Sequence, residues 1–120
     1  MKKRIELPPY REDATVRPRL KCADGTTLSV QASEYHYCHP RETQRGPDPL
    51  YWKVEVGYIE DSNKKRVQPP KEWEEYADGE ADKASVWGYI PMKLVEDFIE
   101  QHGGLKDENC ISQPSEDNED

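Results

Sequence analysis

Three observations predict a small α+β domain, an antiparallel sheet of three to five strands with one main C-terminal helix packed on one face. An Ala-Asp-Gly turn separates two short apolar-alternating runs, residues 51–59 alternate again, and residues 92–102 switch to helical spacing. At 120 residues the chain holds one core. It divides into a basic, proline-containing arm (1–19), a single domain (20–105) with a polar acidic insertion at 60–84, and an acidic tail (106–120) of disordered composition.

The arm carries Pro8, Pro9 and Pro18 and reads as extended chain lying along the domain or reaching a partner. The hairpin that follows can be argued to its register. A two-residue Asp24-Gly25 turn would put Leu28 and Val30 on one face with Lys21 and Arg19. A three-residue loop, Ala23-Asp24-Gly25, pairs Leu20 with Leu28 instead, with Gly25 where a left-handed residue is needed. Leu20, Cys22, Leu28, Val30 and Ala32 then face inward, while Lys21, Thr27, Ser29, Gln31 and Ser33 face outward, so parity selects the bulged turn.

Gly46, Pro47 and Pro49 mark Arg41–Pro49 as a loop. In the next strand Trp52, Val54, Val56 and Tyr58 are expected on one face and Tyr51, Lys53, Glu55 and Gly57 on the other. Within the insertion, Lys71–Tyr76 (KEWEEY) places Trp73 and Tyr76 three apart, on one side of a helical turn. Ser85–Ile90 is a short strand. The helix stripe is Leu94, Val95, Phe98 and Ile99, with Pro91 suited to the first helical position and Gly103-Gly104 to the stop. Ile90 is a poor cap, which leaves room for a slip of one residue.

Only 33% of residues are hydrophobic and 35% are charged, for a net charge of −8. Residues 1–21 carry seven basic and three acidic groups (+4), residues 60–83 five and eight (−3), and residues 93–120 two and nine (−7). An acidic body is repelled by phosphates, so no direct nucleic-acid binding is expected. A basic protein surface, including one that itself binds nucleic acid, is the expected partner. The bland alternative is ordinary solubility charge. Three cysteines, at 22, 38 and 110, are an odd and widely spaced set, and no apolar run suits a signal peptide or a membrane span. Free thiols in a cytoplasmic protein are the expectation.

The runs Ala23-Asp24-Gly25, Ser29–Ser33 (SVQAS), Tyr37-Cys38 and Pro40-Arg41 resemble a family of small bacteriophage and prophage proteins. Val54–Gly57 (VEVG), Gly88–Pro91 (GYIP) and His102–Gly104 (HGG) are similar to the same family. Together they span roughly residues 20–59 and 86–104, about half of the chain. The resemblance implies a phage setting, in which small acidic proteins of this size resemble inhibitors of host defence, including anti-CRISPR proteins. It transfers no site residues.

For chemistry, Cys22, His36, Cys38 and His39 suggest a zinc-stabilised structural or adaptor module. Structural sites, however, combine two close-spaced ligand pairs, Cys22 stands alone, and strand alternation turns His39 away from His36 and Cys38. An inward Cys22 is more simply a small buried hydrophobe. A thiol enzyme would need a base and an orienting group for Cys38, whose pKa two neighbouring histidines could lower slightly, and nothing supplies an oxyanion hole. No motif for a hydrolase, a metalloprotease or a nucleotide-binding loop occurs. No cofactor is implied. Partner recognition is the better supported class. Glu72, Trp73, Glu74, Glu75, Tyr76, Asp78, Glu80 and Asp82 form one candidate contact surface, and Tyr35, His36 and Arg41 form a second. Trp73 has two readings, an exposed contact residue or a cap folded back onto the sheet. The expectation is a non-enzymatic protein that binds and inhibits a host protein or nucleoprotein complex through an acidic, aromatic-bearing surface.

Overall fold

The computed structural model describes residues 7–11, 14–46 and 49–106. Among these residues four antiparallel strands, β1 (Leu20–Lys21), β2 (Thr27–Gln31), β3 (Lys53–Glu60) and β4 (Val86–Pro91), form one sheet in the order β1-β2-β3-β4. An α-helix, α1 (Met92–Gln101), follows β4 directly, so the α+β class expected from the pattern is the one observed. Residues 107–120, which include Cys110 and nearly all of the expected tail, lie outside the described residues, as do residues 1–6 of the arm.

The hairpin has the register that parity selects. Leu20 pairs with Leu28 and Lys21 with Thr27, the Cys22 N–H donates to the Thr26 carbonyl at 2.7 Å, and Gly25 has φ +98°. Leu20, Cys22, Leu28, Val30 and Ala32 are all buried. They meet Val54, Val56, Ile59, Trp87 and Ile90 from the other two strands, and Val95, Phe98 and Ile99 from α1, in one apolar cluster on the inner side of the sheet. Pro91 sits one place earlier than expected, as the residue capping α1 (φ −55°, ψ 134°), because it is still the last residue of β4. Gly103 and Gly104, with φ +94° and +84°, end the helix and return the N–H of Gly104 to the Ile99 carbonyl at 2.9 Å.

The described part of the arm packs on the domain. Gln31 clamps the backbone of Arg17, accepting from its N–H at 2.7 Å and donating to its carbonyl at 2.9 Å. The Arg17 guanidinium is buried over the Tyr10 ring, 4.0 Å from its centroid, and donates to the Pro8 carbonyl at 2.7 Å.

The alternation expected across residues 51–59 holds for Lys53–Val56 and fails at both ends. Tyr51 and Ile59 are buried, whereas Trp52 and Tyr58 are exposed. The cause at the second end is a bulge. β2 advances two residues between Thr27 and Ser29 while β3 retreats three, from Glu60 to Gly57, leaving Tyr58 as the extra residue. A second bulge lies in β4, where Ile90 and Trp87 face Val54 and Val56.

Candidate functional site

The Lys71–Tyr76 segment forms a short 3-10 helix, as its spacing predicts, but Trp73 is no contact residue. Its ring is 1% exposed and packs edge-on against Trp87 (centroids 6.1 Å apart) and against Phe98 (5.5 Å). A large apolar ring beside an incompletely covered sheet gains more from burial than from water, so the capping reading of Trp73 is the correct one. Tyr76 packs partly against the same core. The remaining residues of the first surface, Glu72, Glu74, Glu75, Asp78, Glu80 and Asp82, are all exposed. The segment is held in place beyond its tryptophan: Ala77 bridges to Trp87, the Asp78 N–H donates to the Val86 carbonyl at 2.9 Å, and the Arg66 guanidinium donates to the Ala84 carbonyl. Lys83 and Glu80 pair at 3.3 Å in the open. The carboxylates therefore form a positioned acidic ridge.

The second surface is larger than its sequence suggested. In the segment that follows β2, Tyr35 is exposed, but His36 is half-buried and its Nδ1 lies 2.7 Å from Ser33 Oγ. Burial lowers the pKa of His36; Glu55 acts against this, and Arg17 and Arg41 add to it. The next residues cross the outer side of the sheet. The Tyr37 N–H donates to Glu55 Oε1 at 3.0 Å, the Tyr37 carbonyl accepts from the Tyr89 N–H at 2.9 Å, and His39 bridges to Lys53. This close crossing needs Gly88, since a Cβ there would stand 2.9 Å from the Cβ of Tyr37. Tyr37 and Tyr89 stack (5.7 Å, 24°), the Arg41 guanidinium lies 5.5 Å from the Tyr37 centroid, and His39 tilts against Trp52.

The two bulges complete this face. Val56 and Ile59 both point into the core, which turns Tyr58 outward between them; Trp87 and Ile90 do the same for Tyr89. Tyr58 (φ 52°) and Tyr89 (φ 56°) adopt the left-handed backbone that bulky residues avoid, and both rings are exposed, at 58% and 42%. The Arg19 guanidinium donates to the Tyr58 carbonyl and to Thr27 Oγ1. Sequence reasoning missed Trp52, Tyr58 and Tyr89 as surface residues. A signal was available in the repeated Gly-Tyr-Ile of residues 57–59 and 88–90, each a bulge.

The proposed ligand residues do not assemble. Among the described residues no three His, Cys, Asp or Glu side chains stand close enough to hold a metal ion. Cys38 donates to the Ser33 carbonyl at 3.2 Å, and its pKa is raised, chiefly by burial, where two neighbouring histidines had suggested a slight lowering. Burial, with Asp24 next, pushes the Cys22 thiol up to about 12. Neither thiol is primed as a nucleophile. Among the described residues no helix is long and apolar enough to cross a membrane. No protein-family model, curated protein or solved structure matches the chain, so the resemblance to phage proteins rests on its own sequence runs.

Proposed function

We propose that this is a non-enzymatic, phage-type protein that docks its acidic ridge on a basic surface of a host protein in the host cytoplasm and blocks what that surface does. The observation that carries this reading is the burial of Trp73 between Trp87 and Phe98. A ridge whose carboxylates hang on a buried tryptophan spends little ordering entropy on binding. Its charge also speeds encounter with a cationic partner. If the partner belongs to a nucleoprotein complex, the carboxylates occupy the path of phosphates. The raised thiol pKa values and the scattered His and Cys residues lend nothing to the thiol-enzyme and zinc-module alternatives.

Affinity capture from host lysate at low and high salt tests the proposal, using the tagged chain and a Glu72→Lys/Glu74→Lys/Glu75→Lys variant. All three positions are exposed, so the variant is expected to keep its fold and to lose the captured protein. Equal recovery of the same protein by both chains would overturn the assignment of the ridge.

A further inference from the structure

The outer face of the sheet has the opposite character to the chain as a whole. Arg19, Lys21 and Lys53 project from it, and Arg41 covers Tyr37 at its margin. The same face carries Glu55 and Glu60, and Glu55 already accepts the Tyr37 N–H. Its apolar content is aromatic: Tyr37, Tyr58 and Tyr89, with Trp52 at the edge and 59% exposed. Two of these tyrosines stand in the left-handed backbone region that bulky side chains avoid, and the Tyr58 ring is the more exposed of the two.

We propose that this face binds a short single-stranded nucleic acid, with bases stacking on Tyr58 and on the Tyr37–Tyr89 pair and with Arg19 and Arg41 contacting phosphates. Each ring station has an arginine beside it. Tyr58 lies opposite Ser85, whose carbonyl its N–H reaches at 2.8 Å, and Tyr89 is four residues further along β4. The two stations are thus about 10 Å apart along the strands, because the bulge in β4 absorbs one of those four residues, a span suited to an extended strand of a few nucleotides. Planar rings above a sheet, flanked by guanidinium groups, match the two parts of such a ligand: every base has a π face, and every step carries a phosphate. An acidic protein segment would satisfy the arginines but leave the rings unmatched. The net charge of −8 argued against phosphate binding because it averages over surfaces. The acidic ridge and this face are different surfaces, so the two proposals stand or fall separately.

The test is fluorescence anisotropy of the full chain with labelled oligo(dT) and oligo(rU) of about eight nucleotides, and with a duplex of equal length, at about 50 mM and about 200 mM salt. Single strands are expected to bind more tightly than the duplex and to weaken at the higher salt. The dT and rU arms tell DNA from RNA. Tyr58→Asn and Tyr89→Asn keep a residue tolerant of the left-handed backbone and remove the ring. Each should weaken binding about tenfold, with the thermal midpoint of Tyr58→Asn unchanged or raised. Arg41→Gln with Lys53→Gln, both at exposed positions, should weaken binding and flatten the salt dependence, and supplies the answer if a tyrosine variant fails to fold. The Glu72→Lys/Glu74→Lys/Glu75→Lys variant should not lose strand binding. Three results overturn the proposal: no binding of any single strand at about 200 µM protein, binding indifferent to the tyrosine and Arg41/Lys53 variants, or an oligo-glutamate peptide that binds this face when the strands do not.

Discussion

Cys22 and Cys38 show how position, more than neighbours in sequence, sets the chemistry of a residue. Both are buried, and a thiolate in either place would lose its water; Asp24 adds a further penalty at Cys22. The Cys22 thiol is held at about 12, against an ordinary 9.0, so its thiolate is about a thousandfold scarcer than in the unfolded chain near neutral pH. Site-resolved mass spectrometry after alkylation should find Cys22 nearly untouched in the native protein and rapidly labelled in urea. Fast native labelling would contradict the burial. The same shift has a consequence for stability. Between pH 9 and 12 the unfolded chain gives up the Cys22 proton while the folded chain keeps it, so unfolding is favoured as pH rises through that window. Denaturant midpoints measured from pH 8 to 11 should fall, and a Cys22→Ala variant should fall less steeply.

At the level of elements, two packing contacts carry opposite lessons. Trp73 anchors the 3-10 helix from one side, and Trp73→Ala should cost about 3–5 kcal/mol in urea unfolding, because the facing Trp87 and Phe98 rings cannot close the space. Gly88 admits the Tyr37 segment from the other side. Gly88→Ala should cost about 1–3 kcal/mol and shift the Tyr37 and Tyr89 ring resonances, since the added Cβ meets the Cβ of Tyr37 at 2.9 Å. Gly46→Ala, where a Cβ meets nothing within 4 Å, is the control. The hairpin register was legible in the sequence because a slip of one residue would have exchanged Leu28 for Thr27 in the core. The spacing of Trp73 and Tyr76 was legible as well. Which way Trp73 turns was not, because a lone tryptophan among acids has the same local pattern whether it caps a sheet or meets a partner. The outer face was the least legible part. A bulge reverses parity at Tyr58, and Trp52 precedes the first residue of β3, so strict alternation sent both inward and concealed the surface to which they belong.

On the scale of the whole molecule, the described part of the chain closes on itself where the segment after α1 returns to β1. The helix stop lies against the hairpin loop: Ala23 N–H donates to the Gly104 carbonyl at 2.7 Å, Asp24 N–H to the His102 carbonyl at 3.2 Å, and Asp24 Oδ2 stands 2.7 Å from His102 Nδ1. Leu105 then bridges to Cys22, and the Lys106 N–H donates to the Lys21 carbonyl at 2.9 Å, so a two-residue extension covers the free edge of β1. Burial alone would raise the Asp24 pKa; hydrogen bonds from Thr26 and the contact with His102 outweigh it and leave the carboxyl below its ordinary 3.8. This closure is fully present above that value and weakens as pH falls through the lower folded pKa. It also ranks two truncations. Ending the chain after Lys106 retains every contact named above, whereas ending it after Gln101 strips β1 of its cover, Asp24 of its imidazole and α1 of its glycine stop. Among the described residues β1 pairs with no strand but β2, so thermal unfolding and amide exchange should show the shorter chain losing stability, with protection lost first at Ala23 and Asp24, whose N–H groups donate to the Gly104 and His102 carbonyls. A shorter chain as stable as the one ending at Lys106 would mean that the sheet and α1 hold without this clasp.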